Sequence, residues 1–292
     1  MAVYCWMSSL RRQHTLAKQE SVKPLLSLCI IARDAGASIQ RCIDSVDGVC
    51  DEVVVLVDSR TTDNTQKLLD PYGSWIKSAP YQWHHDFSAA RDAAIALATG
   101  KYMMWMDADE ELAPGAGEKL LHQLSLDKYQ LILCANAINE SYQMPEYDLD
   151  GFGEGVSIVK PRVVINEPGL HWQYRCHECI APAPDSIHEV LRAEDIQVLH
   201  HGDMTTAKAE YYKALLQLDY VEDPGDPHAA LYLGTLAIMD KRWQLALKYL
   251  EGIDESRLNT NDPGQRQRYY FFQGQAWQGM ASDGLAKDAR QQ

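Results

Sequence analysis

Tyr102-Met-Met-Trp-Met-Asp107-Ala-Asp-Glu-Glu111 is the stretch from which the fold of this chain can be predicted: an apolar run that ends at four carboxylates within five residues. A continuous apolar run of this kind is typical of a strand buried on both faces of a parallel sheet. Ligands of such sheets bind beyond the carboxyl ends of the strands, where these acids fall. Crowded carboxylates repel one another unless a cation lies among them, so the pattern indicates a divalent metal with an oxygen-rich ligand such as a nucleotide diphosphate. The alternative is a solvated acidic turn that caps the next helix.

Strands and helices are predicted to alternate on both sides of this stretch. The expected strands are residues 27–32, 52–57, 75–78, 102–106 and 130–135, and helices are expected near 39–46, 87–97 and 115–124. This alternation predicts an α/β fold with a mostly parallel sheet. From residue 138 to 196 the pattern changes to short alternating segments among prolines, glycines and aromatics. We expect a more irregular, partly antiparallel region there, in which a substrate pocket could be built.

The chain is predicted to have three parts. Residues 1–24 are interpreted as an N-terminal tail, residues 25–206 as the α/β domain, and residues 207–292 as a helical, tetratricopeptide-like region. Helices are expected in the last part at 207–220, 228–239, 243–250 and 265–280, and Gly234 recurs loosely as Gly274. Because such helical pairs must stack to bury their apolar faces, we predict an interior that contains Leu233, Leu236, Leu245 and Tyr249.

The composition limits the classes of function. The chain has 292 residues and a formal net charge of −14, which argues against non-specific attraction to nucleic acid or to an anionic membrane. Seven scattered cysteines suit a reducing compartment better than a disulfide scaffold. The N-terminus lacks the order of charge and apolar residues that marks a signal peptide, and no apolar run approaches membrane-spanning length. We therefore expect a cytoplasmic protein without a membrane span. Neither a Walker A motif nor G-x-G-x-x-G is present, which argues against nucleotide hydrolysis and hydride transfer.

Six short motifs occur in a characteristic order. They are Ser27 to Asp34, Asp51-Glu52 through Asp63, Phe87 to Asp92, Asp107-Ala-Asp109-Glu110, His177-Glu178 and His200-His-Gly202. In this order and spacing the chain resembles the family 2 glycosyltransferases of GT-A fold, in particular those with a helical, tetratricopeptide-like tail. The resemblance covers roughly residues 25–252 and implies a Rossmann-like nucleotide-sugar-binding domain. Two motifs depart from the usual form: Asp34-Ala35 stands where Asn-Glu is usual, and Ser59-Arg60-Thr61 where Gly-Ser-Thr is usual.

The resemblance also implies a set of site residues. Asp58 would contact the nucleotide base, generally uracil, and Asp107 the ribose or a metal-bound water. Asp109, with Asp107 and His200, would bind manganese or magnesium that bridges the diphosphate. Further contacts to the nucleotide sugar are expected from Ile31, Ala32, Arg33, Arg60, Ser88, Arg91 and Ala108. Arg91 suits phosphate because its guanidinium is a planar fork, although an ordinary ion pair is the alternative.

Glu178 is the candidate general base. Inverting transfer needs a carboxylate opposite the leaving group to accept the proton of the acceptor, and the His-Glu step supplies it in this family. The alternative is a structural glutamate paired with a nearby arginine such as Arg175. Cys176 and Cys179 form a C-x-x-C pair that would suit structural zinc only with a matching second pair.

The expected function is therefore an inverting, metal-dependent transfer of a sugar from a nucleotide sugar, expected to be UDP-linked. The acceptor would be a hydroxyl or other nucleophile on a glycan, a lipid-linked sugar or a peptide. One alternative keeps the fold but makes the acceptor a hydroxymethylated base in DNA. Another is a non-catalytic module that binds a nucleotide sugar or a protein. The helical region could recognise the acceptor or form a homodimer.

Overall fold

The computed structural model describes residues 25–138, 158–181, 187–202, 205–258 and 263–291, so the predicted tail, residues 1–24, lies outside the described residues. In chain order the elements are β1 Leu26–Ala32, α1 Ile39–Asp44, β2 Glu52–Asp58, α2 Thr65–Leu69, β3 Ile76–Tyr81, α3 Phe87–Ile95, β4 Tyr102–Trp105, β5 Glu110–Leu112, α4 Ala116–Ser125, β6 Leu131–Ile138, β7 Ile158–Ile165, β8 His171–Gln173, β9 Cys179–Ala181, β10 Val190–His200, α5 Thr206–Glu222, α6 Pro227–Met239, α7 Trp243–Glu251 and α8 Pro263–Gln291. Short 3-10 segments lie at Asp70–Trp75 and Glu255–Arg257.

Eight strands form one sheet in the order β3-β2-β1-β4-β7-β6-β10-β5, and β8 pairs with β9 in a separate ribbon. β1 is parallel to β2 and to β4, β2 is parallel to β3, and β6 is parallel to β10. β7 is antiparallel to β4 and β6, and β5 is antiparallel to β10. Four of the seven pairings in the sheet are thus parallel, which confirms the predicted α/β fold with a mostly parallel sheet. The antiparallel β7 comes from the region that the sequence marks as irregular.

Helices cover both faces of the central strands, because alternate residues of each strand point to opposite faces. On one face α1, α2 and α4 pack on the strands through a cluster that includes Ile39, Leu69, Leu120, Ile30, Val55 and Met104. On the other face, Ala94 of α3 and Trp172 of β8 pack with Cys29, Val54 and Met103. The second face therefore carries α3 and the β8–β9 ribbon, the elements from which Arg91 and Glu178 come.

The carboxyl ends of β1, β2 and β4 lie at one edge of the sheet. The register pairs Ala32 with Val57 and Cys29 with Trp105, so the parallel strands finish close together. Asp58 ends β2, and the acidic turn begins just after β4. The predicted nucleotide and metal residues thus converge at this edge, as parallel topology requires.

The helical region packs on itself and on the α/β domain. Gly234 of α6 lies against Leu250 of α7, and Gly279 of α8 lies against Trp243 of α7, since an added Cβ at either glycine would collide with that side chain. A Cβ at Gly274 would meet open space, so this residue does not repeat the packing of Gly234. Of the predicted interior residues Leu233 is buried, and Leu236, Leu245 and Tyr249 are partly buried in the same clusters. No helix within the described ranges is long and apolar enough to cross a membrane.

Candidate active site

The acidic turn after β4 is built around an internal ion pair. The Asp107 N–H donates to Glu110 Oε2 (2.9 Å), and the Glu110 N–H donates to the Asp107 carbonyl (3.0 Å). Arg162 is almost fully buried and binds both Glu110 oxygens, with Nη1 to Oε2 at 2.7 Å and Nη2 to Oε1 at 2.6 Å. Burial alone would raise the pKa of Glu110, but Arg162 holds it well below its usual range. Glu110 therefore shapes the turn from inside and leaves Asp107 and Asp109 at the surface of the site.

His200 lies beside the acidic turn because β10 pairs with β5 and brings His200 opposite Glu110. Its Nδ1 is 3.8 Å from Asp109 Oδ1 and 3.7 Å from Glu110 Oε1. His201 points elsewhere, with Nε2 2.9 Å from Glu111 Oε1. Of the two adjacent histidines, His200 is thus the one that reaches the predicted metal ligand Asp109.

Negative charge collects at Asp109. Burial raises the pKa of Asp109, Asp107 adds to the rise, and His200 opposes it. A Cβ at Gly202 would collide with the Asp109 carboxylate and come within 3.0 Å of His200 Nε2, so glycine keeps the space beside both groups open. In the part of the chain that the structure describes, no three His, Cys, Asp or Glu side chains are already grouped to hold a metal. A carboxylate and an imidazole fit manganese or magnesium if phosphate oxygens supply further ligands.

Arg91 of α3 joins the acidic turn to the candidate base. Its Nε donates to Glu178 Oε1 (2.5 Å) and its Nη2 donates to Asp107 Oδ1 (2.8 Å). The guanidinium carbon lies 4.5 Å from the ring centroid of Trp105 and 5.2 Å from that of Trp172, and the residue is only 6% exposed. Burial alone would lower the pKa of Arg91, but the two carboxylates raise it above its usual value. Neither sequence interpretation of Arg91, a phosphate ligand or an ordinary surface pair, includes this buried bridge.

Glu178 lies in the loop between β8 and β9, and the helical region holds this loop. Tyr174 and His177 have φ values of 75° and 50°, in the left-handed region that non-glycine residues rarely adopt. Such a conformation persists only where surrounding contacts stabilise it. His177 stacks on Tyr232 of α6 with ring centroids 4.2 Å apart, and Tyr174 stacks on His228 of α6 at 3.7 Å.

Arg175, in the same loop, binds α5 and not Glu178. Its Nη1 donates to Asp219 (2.5 Å) and to Glu222 (2.8 Å), and its backbone N–H donates to Asp219 Oδ2 (3.0 Å). Arg175 is therefore not the arginine that pairs with Glu178, and that partner is Arg91. The loop that carries the candidate base is thus held by contacts to both α5 and α6.

The predicted nucleotide-base contact, Asp58, is engaged by Arg60. Asp58 Oδ1 accepts from the Arg60 backbone N–H (2.9 Å), and Oδ2 accepts from Nη2 (2.5 Å). Burial raises the pKa of Asp58, but these bonds lower it below its usual value. Arg60 lies over the ring of Trp83, 5.7 Å from its centroid. The two motifs that depart from the family pattern are bonded to each other, since Asp34 Oδ1 accepts from the Thr62 N–H (2.7 Å).

These groups face one cavity of about 1120 Å³. It is lined by all the predicted site residues except one: Ile31, Ala32, Arg33, Asp58, Arg60, Arg91, Asp107, Ala108, Asp109, Glu178 and His200. Ser88 does not line it, because its hydroxyl donates to the Tyr174 carbonyl and supports the Glu178 loop. That Ser88 contacts the nucleotide sugar stays a prediction.

The helical region supplies one wall of the cavity, which the sequence pattern did not indicate. Lys208, Tyr211 and Tyr212 of α5 and Tyr232 of α6 line it, together with Trp105 and Trp172. The sequence predicts that residues 207–220 link the core of the helical region to the α/β domain, but helical periodicity alone does not show that this helix faces a cavity. The sequence feature that could have predicted the ion pair with Glu110 is the charged Arg162 within a strand rich in apolar residues. Of the C-x-x-C pair, Cys176 is buried against α5 and Cys179 is exposed.

Comparison with known proteins supports the fold and the family. Residues 27–148 match the sequence model described as Glycosyl transferase family 2. A TPR repeat-containing protein of Synechococcus elongatus is 27% identical over 244 residues, which are 80% of this chain and 57% of that protein. A chondroitin synthase of Pasteurella multocida is 34% identical over 112 residues, 36% of this chain and 11% of the synthase. The chain thus spans little more than half of the first relative and about a tenth of the second.

Solved structures of similar fold include S. aureus TarS, residues 1–349, in complex with UDP. The likeness has a TM-score of 0.51 at 12% sequence identity and covers 87% of this chain and 92% of that one. The same TarS fragment without the nucleotide gives a TM-score of 0.52. At this identity the likeness establishes the fold alone, a GT-A architecture followed by helices.

Proposed function

This chain belongs to the family 2 glycosyltransferases of GT-A fold, and from that premise we propose that it is an inverting glycosyltransferase that uses a UDP-linked sugar. The observation that carries the proposal is the single cavity in which Asp58, the acidic turn, His200 and Glu178 meet at the carboxyl ends of the strands. The choice of UDP is supported by the TarS structure of similar fold, which was solved with UDP.

Glu178 is proposed to act as the general base. One oxygen, Oε1, accepts from Arg91 (2.5 Å), and among the described residues no hydrogen bond engages Oε2. The acceptor hydroxyl gives its proton to Oε2 while its oxygen forms a bond to the anomeric carbon. The bond between that carbon and the diphosphate oxygen breaks, and UDP leaves with the electron pair. Attack from the face opposite the leaving group inverts the anomeric centre.

Asp109 and His200 are the residues proposed to hold a divalent cation, with Asp107 next to them. A bound manganese or magnesium ion would supply positive charge to the leaving diphosphate. The fit is supported by the space that Gly202 leaves beside both ligands. Burial first and the neighbouring Asp107 second raise the pKa of Asp109, so a cation beside it would stabilise its charged form. With the diphosphate over the acidic turn, Asp58 and Arg60 are proposed to contact the nucleotide base.

The acceptor is proposed to enter the cavity beside Glu178, along the wall that the helical region supplies. This wall includes tyrosines of α5 and α6, and Lys213 and Asp240 also line the cavity. A hydroxyl or other nucleophile on a glycan, a lipid-linked sugar or a peptide would meet this aromatic and polar surface. The net charge of −14 makes a DNA acceptor the less favoured choice.

Calorimetric titration with UDP, in manganese and then in EDTA, tests the donor half of the proposal. We expect wild-type protein to bind UDP with divalent dependence and Asp109→Asn to lose that dependence. Asp127→Asn is the matched control, because Asp127 is exposed and does not line the cavity. Equal, manganese-dependent UDP binding by wild type and a folded Asp109→Asn variant would overturn the metal assignment. Failure of the wild type to bind UDP would overturn the donor assignment.

A further inference from the structure

Lys208 is a cation of the helical region that faces the reaction centre. It lies in the first turn of α5, where the Thr205 side chain accepts from the Lys208 backbone N–H at 3.2 Å. Its Nζ is 6.0 Å from the ring centroid of Tyr212, one helical turn later, and both residues line the cavity. The first two turns of α5 thus present an ammonium group and a phenol to the same space.

The arginines that line the cavity near Asp58 and the acidic turn already form ion pairs with carboxylates. Arg60 is bound by Asp58 (2.5 Å), and Arg33 lies 3.4 Å from Asp34. Arg91 is bound by two carboxylates between two indole rings. Two carboxylates thus already offset the charge of Arg91 before any phosphate is bound. Arg91 is therefore poorly suited to be the cation that meets the leaving group.

Lys208 differs from these arginines. Within the described ranges it makes no ion pair, and its side chain is half-buried at the cavity wall. Lys208 and Asp109 line the same cavity, close enough for their opposite charges to attract each other. A flexible ammonium with three donors can follow a phosphate as charge builds up on it.

Tyr212, which lies one turn after Lys208, is close to the same group of carboxylates. Burial raises the pKa of Tyr212, and the carboxylates of Asp107, Glu178 and Asp109 add to the rise, in that order. Its ring packs edge-on against Phe87 at 5.8 Å and against His177 at 6.0 Å, so its place is fixed by α3 and the Glu178 loop. The helix face that carries Lys208 is thereby held over the acids that are expected to meet the diphosphate.

We propose that Lys208 binds the diphosphate of the donor and neutralises the charge that develops on it as UDP leaves. The inference rests on the proposed function and names a residue from the helical region as part of the donor site. Lys208 donates hydrogen bonds to phosphate oxygens and transfers no proton, and the proton of the acceptor goes to Glu178. The helical region is then part of the enzyme's catalytic machinery and not only a recognition module.

The test compares UDP with uridine, because only UDP carries the phosphates. Affinities of both ligands are measured in manganese for wild type, Lys208→Ala, Lys208→Arg and the control Lys248→Ala, an exposed lysine of α7 outside the cavity. A charge-assisted hydrogen bond of this kind predicts that Lys208→Ala weakens UDP roughly 10- to 100-fold and leaves uridine unchanged. Lys208→Arg should recover part of the loss, and Lys248→Ala should match the wild type.

The outcomes separate this inference from the proposed function. If wild type prefers UDP to uridine and Lys208→Ala keeps the same preference, Lys208 is not a phosphate ligand. The same conclusion follows if Lys208→Ala weakens UDP and uridine equally, since that would indicate a distorted site. If the wild type itself does not prefer UDP to uridine, the proposed donor is wrong, whatever Lys208 does.

Discussion

Replacing Arg91 with methionine tests the bridge between the acidic turn and the candidate base. Methionine keeps a long apolar side chain between Trp105 and Trp172 but removes the charge. In the variant Glu178 loses its cationic partner, and its side chain is only 12% exposed. Asp107 loses the same partner, but its side chain is 40% exposed, so water can replace the lost hydrogen bond. Removing one partner of a buried pair costs about 3–5 kcal/mol, whereas an exposed pair contributes about 0–1 kcal/mol. Nearly all of the loss should therefore come from the Glu178 side.

A double-mutant cycle separates the two contributions. Glu178→Gln alone should cost about 1–2 kcal/mol, because the amide oxygen can still accept from Arg91. Arg91→Met alone should cost about 3–5 kcal/mol, and adding Glu178→Gln to it should restore part of the stability. We expect a coupling energy of about 2 kcal/mol between the two sites.

Urea unfolding monitored by tryptophan fluorescence measures the four stabilities, with the slope m checked for constancy. Arg91→Met within about 1 kcal/mol of wild type, or additive single changes, would refute the bridge. If Arg91 is instead a phosphate ligand, as the sequence suggests, the variant should lose UDP affinity with little change in stability. The two readings thus give opposite patterns in stability and binding.

Three further predictions concern the surroundings of the site. Gly202→Ala should weaken manganese-dependent UDP binding roughly 10- to 100-fold in calorimetry, because overpacking beside Asp109 typically costs about 1–3 kcal/mol; unchanged affinity would show that the space is not used. His228→Ala removes the stack on Tyr174 and should lower turnover about tenfold at unchanged UDP affinity, with His228→Phe in between, whereas a loss of affinity alone would argue against a positioning role. Burial alone would raise the pKa of Glu52, but its bonds to neighbouring side chains lower it to about 2, so its stabilisation is present above pH 4.5 and lost as pH falls toward 2. Glu52→Gln should therefore lower the unfolding free energy by about 2 kcal/mol at pH 7 and by less at pH 3, and a difference that does not shrink on acidification would contradict this assignment.

The parallel part of the fold could be predicted because its signals are local. β1, β2 and β4 are short apolar runs, each followed by polar residues, and parallel pairing then brings Asp58 and Asp107 to one edge. The antiparallel insertion of β7 between β4 and β6 could not be predicted, since the pairing of Tyr102 with Ile165 spans a long stretch of chain. The residue pattern of a strand does not determine which other strands it pairs with.

The sequence could predict which residues lie together in the cavity, but not the hydrogen bonds and ion pairs that join them. The motifs identified the acids and Glu178, yet the partner of Glu178 proved to be Arg91, 87 positions away, and not its near neighbour Arg175. The hydrogen bond from the Ser88 hydroxyl to the Tyr174 carbonyl could not be predicted either, because the two residues lie 86 positions apart. The face of α5 that carries Lys208 could not be assigned from the sequence, because helical periodicity does not distinguish a core from a cavity wall.

The most direct test of the central claim is the rate at which wild type and Glu178→Gln consume a panel of UDP-sugars, followed by mass spectrometry in manganese. We expect the wild type to release UDP from at least one of these donors. Glu178→Gln should bind UDP normally and turn over the same donor roughly 10²–10⁴-fold more slowly, the usual contribution of a general base. A Glu178→Gln rate equal to that of the wild type would contradict the assignment of the base, and UDP binding without turnover of any donor would contradict the enzymatic function itself.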